Sequence, residues 1–211
     1  MENHQKLLGI RRDAIANAIH HTIDTFFNSD ESFRRKNSSC LYYAHLGSEV
    51  CTRIYSEINR DQSIYYSVQG GSISIRSTSD TNDTSQGVNF GGKGESDKPS
   101  FEEGRFHCWI VGLCKNGQLI TPNANEFIDF TSKYYHCHAL NQGHEWTRRD
   151  IDDYLWVDNQ CDLRSKYGIS VKADEEIRKK SQQKWEQFDS SQAMLECAVR
   201  TYLSLYSKRM G

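Results

Sequence analysis

Apolar positions change their period several times along the chain, and the changes mark out its elements. Between residues 5 and 27, Leu7, Leu8, Ile10, Ala14, Ile15, Ala18, Ile19, Thr22, Ile23, Phe26 and Phe27 recur, often in pairs, every three or four positions, predicting an amphipathic helix that covers a core. Residues 37 to 58 repeat Tyr43, Leu46, Val50, Ile54 and Ile58 at the same steps behind a good N-cap, Ser38 or Ser39. The period then shortens: residues 63 to 68 and 72 to 76 are β-rich and flank Gln69-Gly70-Gly71, as a hairpin or a bent strand. Residues 105 to 114 read as a strand, Lys115-Asn116-Gly117 as a tight turn, 118 to 121 as a returning strand and 126 to 131 as a third, together an antiparallel meander. Residues 133 to 146 are irregular, and Tyr154 to Val157 form a compact apolar patch. Helices return at the end: 174 to 188 is highly charged with sparse apolar anchors, and 191 to 206 places Leu195, Ala198, Val199, Tyr202, Leu203 and Tyr206 on one stripe.

One stretch has no period. Eighteen of the 28 residues from Ser77 to Gly104 are Ser, Thr, Gly, Asp or Asn, too polar to bury the surface that would order them, so a mobile loop insertion is expected. Gly91-Gly92-Lys93-Gly94 within it lacks the Gly-Lys-Ser/Thr ending of a phosphate loop. The segment delivers the chain to His107, so it is read either as a flap on a cleft or as a neutral insertion.

Length and composition fit a single domain spanning 1–211, with helices at 174–211 as a C-terminal extension. The near balance of 26 basic and 28 acidic residues carries no nucleic-acid or membrane signature. Seven cysteines without C-x-x-C spacing suit a reducing compartment; with no signal-like apolar run at the start and no stretch of 18 apolar residues, a cytoplasmic location is expected.

Chemistry enters with three residues. A thiol at a helix N-terminus, as at Cys40, meets the positive end of the helix dipole and free backbone N–H groups, both of which favour thiolate; the competing reading is a core thiol. Asp129, between Ile128 and Phe130, is a carboxylate in an apolar strand and needs a donor. His107, flanked by Phe106, Cys108 and Trp109, can supply one from a neighbouring strand, and an imidazole held that way can take a thiol proton. The order Cys40, His107, Asp129 describes nucleophile, base and orienter.

Cys40 at a helix start, His107-Cys108-Trp109 in a strand and Asp129 after a turn together resemble the Cys, His-x-Trp, Asp pattern of transglutaminase-like proteins in the papain-like superfamily, over roughly residues 37 to 131. The resemblance implies an α+β, papain-like fold with a central nucleophile-bearing helix on an antiparallel sheet, and acyl transfer through a thioester to water or an amine. Arylamine acetyltransferases and bacterial amide-cleaving peptidases resemble the same layout. Ser38-Ser39-Cys40 departs from the usual transglutaminase cysteine box, and no Gln precedes Cys40 at the papain spacing, leaving Asn37 or Ser38 as oxyanion candidates. Trp109, Tyr135 and Trp146 are candidate cleft residues.

His136-Cys137-His138, His144 and Cys161 offer zinc-ligand chemistry, but strand-like alternation would put 136 and 138 on one face without a second pair at finger spacing; they are read as a His-rich and aromatic border of the cleft, and no metal or other cofactor is expected. The functional expectation is a cysteine hydrolase or acyltransferase acting on a small-molecule or peptide amide or ester. The alternative is a catalytically silent binding module of the same fold.

Overall fold

Two faces of one sheet are covered by different means, and the boundary between them positions the residues singled out above. In the computed structural model the described residues are 2–27, 39–58, 64–76, 87–91, 98–114 and 126–210. They form α1 (Glu2–Phe26), α2 (Ser39–Ile58), β1 (Ile64–Arg76), β2 (Gly87–Phe90), β3 (His107–Cys114), β4 (Phe127–Asp129), a 3₁₀ turn (Ser132–Tyr134), α3 (Tyr135–Asn141), β5 (Leu155–Val157), α4 (Asp162–Tyr167), β6 (Ile169–Ala173), α5 (Glu175–Glu186) and α6 (Ser191–Met210). The class is α+β, with an antiparallel sheet in the order β2-β1-β3-β4-β5 and β6 added to β1.

The pattern along β1 resolves as one continuous strand, not a hairpin. Its first half pairs with β3 from Ile64↔Cys114 to Gly71↔His107, and its second half pairs with β6 from Gly71↔Ala173 to Ile75↔Ile169. Gly70 and Gly71 permit the change of partner. A Cβ at Gly71 would lie 2.1 Å from the Lys172 carbonyl oxygen, and one at Gly70 would lie 2.7 Å from Ile177 Cγ2 on α5. β6 was not foreseen, although Ile169 and Val171 alternate with polar neighbours.

The period of two along β3 splits the core. Cys108 and Ile110 face α2, in a cluster with Ile19, Leu46, Val50 and Trp185 from α1, α2 and α5. Trp109 and Val111 face the other way, with Phe90, Phe127, Tyr135 and Leu155. Helix α2 lies close over the sheet at Gly47, where a Cβ would stand 2.5 Å from Phe130 Cε2 and 2.8 Å from Ile110 Cδ1.

Three expectations need correction. β3 and β4 are direct antiparallel neighbours, Ile110↔Ile128 and Val111↔Phe127, so no middle strand stands between them as the meander required; residues 115–125 lie outside the described residues. Residues 133 to 141 are not irregular: a 3₁₀ turn leads into α3, which buries Tyr135 and Ala139 one turn apart, and only 142 to 146 lack regular structure. The polar stretch from 77 to 104 contains β2, whose Val88 and Phe90 are buried against β1 and the second cluster; 77–86 and 92–97 lie outside the described residues. Two apolar residues in a four-residue strand suffice when a long neighbour supplies the ladder.

Candidate active site

Helix α2 begins at Ser39, which puts Cys40 in its first turn, where the unpaired N–H groups and the dipole favour negative charge. His107 is the first residue of β3, paired with Gly71 where β1 changes partner from β3 to β6. Extending the β3–β4 register by one pair sets Asp129 level with Trp109, on the same face as His107 two residues away. His107 Nε2 donates to Asp129 Oδ2 at 2.5 Å. The carboxylate accepts from three further donors: Thr131 N–H at 2.7 Å and Thr131 Oγ–H at 2.6 Å, both on Oδ1, and Tyr135 O–H on Oδ2. Such a shell compensates the burial of Asp129 and holds its pKa below the usual carboxylate value, with the His107 charge as the largest favourable contribution against desolvation. With Nε2 committed to Asp129, Nδ1 is the ring nitrogen left for Cys40.

The Cys40 sulfur is hydrogen-bonded to Cys108 and to the His107 ring. Burial alone would raise its pKa; these bonds and the His107 charge overcome burial and bring it down to about 6. His107 moves oppositely. Burial would lower its pKa, but the Asp129 charge and hydrogen bond, followed by Cys40, raise it to about 10. The two shifts describe a thiolate–imidazolium pair at neutral pH. All three residues are deeply enclosed: Cys40 is 4% exposed, and His107 and Asp129 are 2% each.

Around the pair, Phe90 of β2 forms a wall. Its ring centroid is 5.2 Å from that of His107, 5.6 Å from Tyr135 and 4.8 Å from His138. Burial, with the nearby charges of His107 and His136, lowers the His138 pKa to about 4, so this second imidazole beside His107 is neutral. Phe90 lies in the stretch expected to be a mobile loop; its ordered place in β2 depends on pairing with β1 that local composition does not reveal.

The other sequence candidates take different places. Tyr135 is not a cleft wall: it is 1% exposed and its phenol anchors Asp129, with burial and the Asp129 charge keeping it protonated. Trp109 is buried in the second cluster beside Phe127, 6.3 Å between centroids, and its Nε1 has no hydrogen-bond partner among the described residues. Trp146 is partly buried edge-on to Tyr135 at 6.4 Å. Asn37 and Ser38 lie outside the described residues. The strand-like alternation expected for His136 and His138 is corrected by α3: about 100° per residue separates their directions by about 200°. His136 Nε2 pairs with Cys137 Sγ at 3.1 Å, and among the described residues no group of three His, Cys, Asp or Glu side chains could hold a metal ion. No helix among them is long and apolar enough to cross a membrane.

Thr131 and Cys108 were missed. A Thr two residues after a buried Asp is a legible signal, since its N–H and hydroxyl can both fold back onto the carboxylate. Cys108 carries no signal beyond its place between His107 and Trp109.

No protein-family model matches the chain, and no curated protein matches it in sequence. A crystal structure described only as that of a genomics target superposes with a TM-score of 0.53 at 14% identity, covering 88% of this chain and 77% of that one. Similarity at that identity bears on the fold alone.

Proposed function

We propose that the protein is a cysteine hydrolase or acyltransferase with a papain-like, transglutaminase-like layout, in which Cys40, His107 and Asp129 carry acyl transfer from an amide or ester of a small molecule or peptide. One observation carries this reading: the continuous hydrogen-bonded chain from a helix-terminal thiol through a buried imidazole to a carboxylate saturated with donors. A structural His–Asp pair would not need a thiol lowered to about 6 at its free end.

Cys40 thiolate attacks the carbonyl carbon, and the developing oxyanion forms at the N-terminal turn of α2, where backbone N–H groups and the helix dipole oppose its charge. His107 gives its Nδ1 proton to the departing amine or alcohol, leaving a thioester on Cys40. Water or an amine then loses its proton to Nδ1 as it attacks the thioester, and Cys40 leaves as thiolate. Asp129 keeps the ring oriented, with Nε2–H pointing away from the reaction, and stabilises the imidazolium; Tyr135 and Thr131 hold Asp129.

Incubation with a panel of activated acyl donors, followed by intact-mass and peptide mass spectrometry, tests this. The expected result is an acyl adduct on Cys40 that Cys40→Ser abolishes and that water or an added amine discharges. Absence of an adduct with every donor, together with Cys40 alkylating no faster than the other thiols, would refute it. The enclosure of all three residues favours a second reading, a silent binding module; Cys40 alkylating no faster than the other thiols at mildly acidic pH, with no acyl adduct, would support that one.

A further inference from the structure

The proposed mechanism leaves one neighbour of the nucleophile unused. Cys108 is hydrogen-bonded through its side chain to Cys40, and the two belong to the same buried cluster under the first turn of α2. Alternation along β3 explains the placement: His107 faces Asp129 and the second cluster, and the next residue faces the helix. No disulfide joins Cys40 and Cys108. They are also unequal, since burial and the Cys40 charge hold Cys108 protonated while Cys40 is thiolate.

We propose that Cys40 and Cys108 form a reversible redox pair, in which a hydroperoxide oxidises Cys40 and Cys108 closes the product to an intramolecular disulfide, withdrawing the nucleophile without destroying it. The inference rests on Cys40 being the thiolate of the reading above. In the first step the Cys40 sulfur attacks one peroxide oxygen, an S–O bond forms and the O–O bond breaks. The leaving oxygen takes a proton from His107, so sulfur loses two electrons and the peroxide gains them. In the second step Cys108 sulfur attacks the sulfenic sulfur, the S–S bond forms, the S–O bond breaks, and oxygen leaves as water with the Cys108 proton.

The polar groups behind Cys108 are engaged elsewhere: Ser181, fully buried, donates its Oγ–H to the Arg178 carbonyl at 2.8 Å and lies 3.2 Å from His45 Nε2, whose pKa burial lowers to about 4, so the Cys108 proton leaves with the departing oxygen. The other described thiols lack this setting. Cys51 is buried with its pKa pushed well up, Cys161 is exposed, and Cys137 faces His136.

The test treats the full chain with hydrogen peroxide at one and at several equivalents, alkylates the remaining thiols and maps peptides without reduction. The expected result is a Cys40–Cys108 cross-link, loss of rapid Cys40 alkylation, and near-complete recovery after dithiothreitol. In Cys108→Ala, and in Cys108→Ser should the alanine variant fold poorly, peroxide should carry Cys40 on to sulfinic acid, with recovery by dithiothreitol falling about tenfold or more. Sulfinic acid on Cys40 of the unaltered protein without the cross-link, or a cross-link between other cysteines, overturns the proposal while rapid alkylation before oxidation leaves the acyl-transfer reading standing. Slow alkylation and no oxidation of Cys40 would remove both.

Discussion

Asp129→Asn isolates what the carboxylate does for the thiol. Thr131 N–H and Oγ–H hold Oδ1, so the asparagine carbonyl takes that position and its NH₂ group points at Tyr135 and His107. Tyr135 can rotate its O–H away and accept, but His107 can accept at Nε2 only by moving its proton to Nδ1, the side facing Cys40. The ring then donates to the thiol from its neutral form, and the charge that lowers the Cys40 pKa to about 6 is lost. If that pKa returns to about 8.5, the thiolate fraction near pH 7 falls about 30-fold, from about 0.9 to about 0.03.

Intrinsic reactivity works in the opposite direction. A thiolate about 2.5 units more basic is about 18-fold more nucleophilic toward a disulfide probe at a Brønsted slope of about 0.5. The two effects nearly cancel at pH 7, and a rate measured there would mislead. The profiles should cross instead: relative to the unaltered protein, the variant reacts about ninefold more slowly near pH 6 and about 14-fold faster near pH 9. Reaction with a chromophoric disulfide between about pH 5 and 10, with site mapping of Cys40 and a circular dichroism check of folding, reads this directly. Superimposable profiles would show that Asp129 does not set the charge state of the Cys40–His107 pair, and the argument from geometry would fail.

Other outcomes follow from the same network and from the packing that places it. His107, raised from 6.5 to about 10, contributes stability that is complete below 6.5 and lost as pH rises through about 10, whereas Cys40, lowered from 9.0 to about 6, contributes stability present above 9.0 and lost as pH falls through about 6. Their proton counts offset between about 6.5 and 9, so melting temperature should be nearly flat there for this pair and decline between about 9 and 10, while Cys40→Ser exposes the His107 contribution as a decline beginning near 6.5. Tyr135→Phe removes one donor from buried Asp129 and should cost about 1.5–3 kcal/mol in denaturant unfolding. It should also raise the Asp129 pKa, so that stability present above the unfolded carboxyl value begins to fall at a higher pH on acidification. Gly47→Ala drives a methyl into Phe130 and Ile110 and should destabilise by about 1–3 kcal/mol, seen as a lower denaturant midpoint at unchanged slope. Phe90→Ala should cost about 3 kcal/mol or more and speed Cys40 alkylation by opening the wall beside His107; an unchanged rate would separate that wall from access to the thiol.

The helices that sequence determined are those whose apolar stripe is long enough to specify a face without help. α1, α2 and α6 lie where residues 5 to 27, 37 to 58 and 191 to 206 put them, because many turns of apolar repeat admit one buried orientation. β3 was legible in the same way, as was the oddity of Asp129 and His107, since an ionisable side chain within an apolar strand stands out whatever it pairs with. Tertiary structure decided the rest. Tyr135 and the two imidazoles near it look like a surface stretch until a short helix turns one phenol onto Asp129 and one imidazole onto Phe90. β2 and β6 are strands because β1 offers each a ladder; with four and five residues their own alternation is too short to specify them. Cys108 becomes chemically significant only when α2 approaches the sheet closely enough, at Gly47 and above, for its first-turn thiol to meet the strand residue beneath it. A periodic pattern fixes which face of an element is buried, because burial energy sums over its turns; which side chain meets which across that face depends on the register and separation of elements distant in the chain, and these exist only once the elements have packed.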